Sequence, residues 1–133
     1  MHELVERIHE PELCYVFARN ARRQGHPELA VQAYRRAVDL RAGAFAAESE
    51  VELAAVRAIF AYEEAMSQIR GKRIRATGTW QMVRREGLLP TLRKRAASNN
   101  HEEVLPTLKA LGMEDYSFEA VCRKYPEVTR QAA

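Results

Sequence analysis

Cysteine is nearly missing from this chain. Only Cys14 and Cys122 occur among 133 residues, too few and too far apart for a disulfide framework or a zinc site. Both sit among apolar neighbours and read as buried thiols that act as small hydrophobes. Glycine and proline are scarce as well, six and five residues, and no stretch alternates Val, Ile or Thr strictly with polar residues. That pattern argues against a strand-built domain. Long apolar runs are absent too. The first residues, MHELVERIHEPEL, mix both signs of charge and read as neither a signal peptide nor a membrane span. The expectation is a soluble cytoplasmic protein with no membrane partner.

Catalytic signatures are equally thin. GKRIRATG (71–78) lacks the Walker spacing and precedes no Lys-Ser or Lys-Thr pair. Ser49 and Ser98 look like cap and loop residues, and neither cysteine has a base positioned beside it in sequence. Glu6 and His9 have the E-x-x-H spacing of a helical di-metal site, but no second copy exists. The pairs Glu63-Glu64 and Glu102-Glu103 could supply metal carboxylates, yet neighbours on a helix diverge by about 100° and do not easily share one ion. The chain therefore reads as a non-enzyme with no cofactor and no metal.

What is present favours helices: 47% hydrophobic and 29% charged residues, with good helix formers dominant. Pro11 opens a segment in which Leu13, Phe17 and Ala21, with Val16 and Asn20 beside them, share one helical face up to Gly25. Pro27 starts a second run, with Leu29, Ala33, Ala37 and Leu40 spaced as one stripe, closing near Gly43. Ser49 and Glu52 have capping-box spacing, and the helix they begin extends to Arg70 before Gly71. Its apolar arc is unusually wide, which makes it the expected central post. Thr79 is a candidate cap for a helix through Glu86, with Trp80 and Val83 inward. Further helices are expected from Leu88 to about Ala97, Glu102 to Leu111 and Ser117 to Lys124, with Ser98-Asn99-Asn100 as loop. The predicted fold is a single all-α domain over residues 1–133, a compact bundle of six to seven helices around one long central helix.

Charge is distributed unevenly along this frame. From Arg70 to Arg95 nine Lys and Arg residues face a single acid, Glu86, giving a local charge of +8 in a chain whose net charge is +3. Local charge sets the field a polyanion feels. Lys72, Arg73 and Arg75 fall in the loop, Arg93, Lys94 and Arg95 on the helix after Gly87, and Gln81, Arg84 and Arg85 on the outer side of the helix before it. Arg forks and a Gln amide suit phosphate oxygens and base edges, and the helix–Gly–helix layout is reminiscent of a helix-turn-helix. These nine residues are the candidate nucleic-acid contacts, to DNA or RNA. Two other readings stay open: a cationic face paired internally with Glu48, Glu50, Glu63 and Glu64, and a surface for an acidic protein. Trp80, the only tryptophan, reads as core before it reads as a platform for a base.

Residues 11–44 resemble one tetratricopeptide unit, with Ala18, Gly25, Ala30, Tyr34 and Ala37 at the family's places for small, turn and aromatic residues. Ala42 stands where the family has Pro, Cys14 where it has a large aromatic, and nothing after residue 44 repeats the pattern. The resemblance implies a tightly packed helical hairpin and, as the alternative function, a protein-interaction or self-associating adaptor module with a protein partner or a homo-oligomer. RATGTWQMVRREG (75–87) and MEDYSFEAVCRKYPEV (113–128) are similar to segments of small bacterial helical proteins, a likeness that implies no activity and no site residues.

Overall fold

A computed structural model describes residues 1–98 and 102–130 of the chain. Asn99 and Asn100 of the expected loop, and His101, lie outside the described residues. The described residues are all helical or irregular: α1 (Glu3–Glu6), α2 (Pro11–Arg23), α3 (Pro27–Ala44), α4 (Glu50–Arg70), α5 (Thr77–Glu86), α6 (Leu88–Ala97), α7 (Val104–Ala110), a 3-10 turn (Glu114–Tyr116), α8 (Phe118–Lys124) and α9 (Pro126–Arg130). Seven of these helices have seven or more residues, and no helix among the described residues is long and apolar enough to cross a membrane.

Helix α4 is the post around which the rest packs. Its Ala61 and Ala65 enter a core shared with Ala18 of α2, Ala33 and Val38 of α3, and Leu108 of α7. Ala55 and Ile59, nearer its start, enter a second core with Leu92, Phe118 and Val128. Tyr62 touches both. The first core is rich in alanine because α2 and α3 form a tight antiparallel hairpin, and small side chains let the helix axes approach. At Gly112, which has φ +68°, a Cβ would come within 3.1 Å of Val31 Cγ1, so both the backbone and the space favour glycine.

The helix starts follow the local rules with two departures. Ser49 Oγ accepts from Glu52 N at 3.2 Å, while the Glu52 carboxylate accepts from Glu48 N rather than from the cap itself. Thr79 is not a cap. α5 begins two residues earlier, behind Ala76, and Thr79 is buried within it. The face of α2 matches the expected one only in part: Ala21 is buried and Phe17 packs against the first core, but Cys14 and Ala18 complete the buried face while Leu13 and Val16 are 52% and 43% exposed. Close packing on α3 selected the small residues for the interface and left Leu13 and Val16 outside. α7 accommodates Pro106 in its first turn, where a missing N–H leaves no hydrogen bond unmade.

Candidate nucleic-acid interface

The loop between α4 and α5 is pinned by polar groups that α4 buries beneath it. Gly71 ends α4 in the left-handed region at φ +72° and its N–H returns to the Ser67 carbonyl, a conformation glycine adopts without Cβ strain. Ser67 Oγ donates to the Glu63 carbonyl at 2.7 Å and accepts from Ile74 N at 2.9 Å. Glu63 Oε2 accepts from Ala76 N at 2.9 Å and from Trp80 Nε1 at 2.8 Å. Glu64, 2% exposed, takes both guanidinium nitrogens of Arg73 at 2.9 and 2.6 Å and the Gln68 amide at 3.0 Å. A carboxylate taken out of water costs several kcal/mol, roughly, unless such bonds replace its hydration. Burial by itself would lower the Arg73 pKa, but the Glu64 hydrogen bonds and charge outweigh it and hold the guanidinium above its ordinary value.

The nine candidate residues meet different fates. Arg73 is clasped by Glu64. Lys94 is bonded to Glu86, with Arg85 3.5 Å from the same carboxylate. Arg93 donates to the Val128 carbonyl at 3.1 Å and fastens α9. Arg95 turns inward, 4.9 Å from the centre of the Tyr62 ring and 5.7 Å from that of Phe118. Lys72, Arg75, Gln81 and Arg84 are exposed with no partner among the described residues. A single residue, Gly87, joins α5 to α6, shorter than the three or four residues of a helix-turn-helix connection.

Three arginines that the sequence reading passed over stand beside this loop. Arg19, Arg22 and Arg23 line a cleft of about 630 Å³ together with Lys72 and Arg73, and among the described residues Glu12 is the only carboxylate on its walls. All three are exposed and carry no ion pair among the described residues. Their i, i+3 and i+4 spacing, one turn after Tyr15, was the available signal.

A second cavity, of about 480 Å³, adjoins the cleft: Glu12, Tyr15 and Arg73 line both. Arg73 and Arg41 lie over the Tyr15 ring, 4.1 and 5.5 Å from its centre. Burial pushes the Tyr15 pKa above its ordinary value, ahead of the opposing charge of Arg41. Trp80 is half-buried against the second core, and its indole stacks on Phe45 at 5.9 Å between ring centres and tilts against Phe60 at 5.1 Å. Among the described residues no three His, Cys, Asp or Glu side chains gather as a metal ion would require.

No family model, curated protein or solved structure matches the chain. The functional reading therefore rests on the chemistry of these two sites.

Proposed function

We propose that this is a non-enzymatic nucleic-acid-binding domain that holds a phosphate backbone in the cleft between α2 and the α4–α5 loop. The observation that carries this reading is the convergence of Arg19, Arg22, Arg23 and Lys72 on one cleft with a single opposing carboxylate among the described residues. Arg forks match phosphate oxygens. Arg75, from the same loop, extends the cationic surface, and Gln81 and Arg84 on the outer side of α5 are candidates for contacts beyond it. Arg73 serves the cleft indirectly: tied to Glu64, it fixes the loop that presents Lys72 and Arg75.

The test is fluorescence anisotropy with labelled oligonucleotides at two salt concentrations. Five phosphate contacts, from Arg19, Arg22, Arg23, Lys72 and Arg75, imply that affinity for a single strand falls by about 100-fold between 50 and 200 mM salt. Absence of binding at the lower concentration would remove the proposal. A second reading, the adaptor suggested by the tetratricopeptide-like hairpin, is favoured by Leu13 and Val16, two exposed apolar residues one turn apart on α2. A concentration-dependent dimer in sedimentation would carry that reading.

A further inference from the structure

The cavity beside the cleft has walls of a different kind. Arg41, Arg73 and Arg75 are balanced there by Glu12, Glu63 and Glu64, so it suits an occupant without net charge. Phe45, Phe60 and Trp80 give one side of it aromatic surface. Phe45 sits just past the end of α3, 37% exposed, a large ring left partly in water at the rim. Glu63 is 7% exposed, and its Oε2 is fully used by Ala76 and Trp80. Its Oε1 accepts no hydrogen bond among the described residues, although Glu63 lines the cavity. Carboxylate oxygens accept only, so one that faces the cavity calls for an N–H or O–H donor from whatever enters.

A flat, neutral ring that carries an amino group meets all of these conditions. We propose that the cavity receives one unstacked, amino-bearing purine of a single strand whose phosphates lie in the adjoining cleft. The ring stacks on the Phe45–Trp80 side, where every base can offer a π-face, and its amino group donates to Glu63 Oε1. A purine is preferred because its larger ring system covers more aromatic surface. Tyr15 and Arg73, shared by cleft and cavity, form the boundary between backbone and base. The inference rests on the nucleic-acid reading of the cleft and makes its ligand single-stranded, since a duplex keeps its bases stacked and paired.

Trp80 is the only tryptophan, so its emission reports on the cavity alone. Oligo(dA) and an abasic oligomer of the same length carry the same phosphates and differ only in bases. Oligo(dA) is expected to quench Trp80 and to bind about tenfold more tightly than the abasic strand. Phe45→Ala removes part of the aromatic wall without touching the hydrogen bonds of Glu63. It should erase most of that tenfold preference and leave abasic binding unchanged. Adenosine monophosphate should bind about tenfold more tightly than purine riboside monophosphate, which has the same ring without the amine, and Glu63→Gln should narrow that difference.

Equal binding of both oligomers with unchanged emission overturns the base site and leaves the backbone cleft standing. If neither oligomer binds at low salt, the cleft reading falls and the mononucleotides decide the cavity separately. Adenosine monophosphate that leaves Trp80 emission unchanged at millimolar concentration overturns it, whereas quenching that Phe45→Ala abolishes upholds it.

Discussion

Residues 19–23 and residues 93–95 each bring three cations together, and the fold uses the two groups in opposite ways. Arg93, Lys94 and Arg95 belong to the densest positive stretch of the sequence, yet each has work inside the molecule: the Val128 carbonyl, Glu86, and the rings of Tyr62 and Phe118. Arg19, Arg22 and Arg23 come from the part of the chain that is net acidic, and they stand on one exposed face beside Lys72. Charge density along the polymer differs from charge density in space, because a helix shares its cations among faces and the packing partners decide which faces remain in water.

Exchanging the two groups for alanine is the sharpest way to break this comparison. Replacing Arg19, Arg22 and Arg23 together should weaken oligonucleotide binding by about 100-fold and reduce the salt slope by about two for a single strand. Stability should change by about 1 kcal/mol or less, because none of the three makes an ion pair among the described residues and the one ring contact, Arg22 at 4.9 Å from the centre of Tyr34, involves an exposed cation. Replacing Arg93 and Lys94 should do the reverse: binding within about threefold of the parent, and a lower urea midpoint through the lost fastening of α9. Equal losses of binding from both sets would show that the field of the whole basic segment, rather than the cleft, recruits the ligand.

The next effect concerns the loop between the two groups. Arg73→Ala leaves Glu64, 2% exposed, with only the Gln68 amide as a partner. Stripping one member from a buried ion pair costs about 3–5 kcal/mol, and the partial exposure of Arg73 reduces that to about 2 kcal/mol here. Chemical denaturation measures this directly. Binding should weaken too, although Arg73 itself is already engaged, because Lys72 and Arg75 lose their fixed support.

Much of the frame was legible in the sequence. Pro11, Pro27 and Gly71 mark helix ends by what their backbones permit, and Ser49 marks a start by what its hydroxyl accepts, so the elements could be placed from local chemistry. The long α4 as central post follows from an apolar arc too wide for a surface helix. The face of α2 was legible only in part: Phe17 and Ala21 pack inward and Cys14 is buried as read, but size and hydrophobicity also favoured Leu13 and Val16, which the closeness of α3 left outside, and that closeness is tertiary. Glu63 and Glu64 show the same limit at the site. Their divergence of about 100° on the helix argued against a shared metal ion. The same divergence lets one carboxylate hold Ala76 and Trp80 while the other holds Arg73. Partners 9 to 17 residues further along leave no periodic trace in the chain.

The smallest expected effect concerns an ion pair that lines neither the cleft nor the cavity, and it serves as a control for the Arg73–Glu64 pair. Arg35 grips Asp115 with both nitrogens at 2.9 Å. That hydrogen bonding is the largest cause holding the Asp115 carboxyl below the usual aspartate range, ahead of the opposing effect of burial. A depressed folded-state pKa stabilises the native form above the unfolded value of about 4, and this contribution fades as pH falls through the lower folded value. Asp115 is 62% exposed, so solvent screening limits the pair to about 1 kcal/mol or less. Asp115→Asn should therefore trail the parent in urea midpoint at pH 6 and approach it near pH 3, while oligonucleotide affinity at neutral pH stays the same. A stability loss from Arg73→Ala no larger than that from Asp115→Asn would mean that the Glu64 pair behaves as a surface bridge after all, and the support it lends to the cleft would have to come from the Ser67 and Glu63 hydrogen bonds alone.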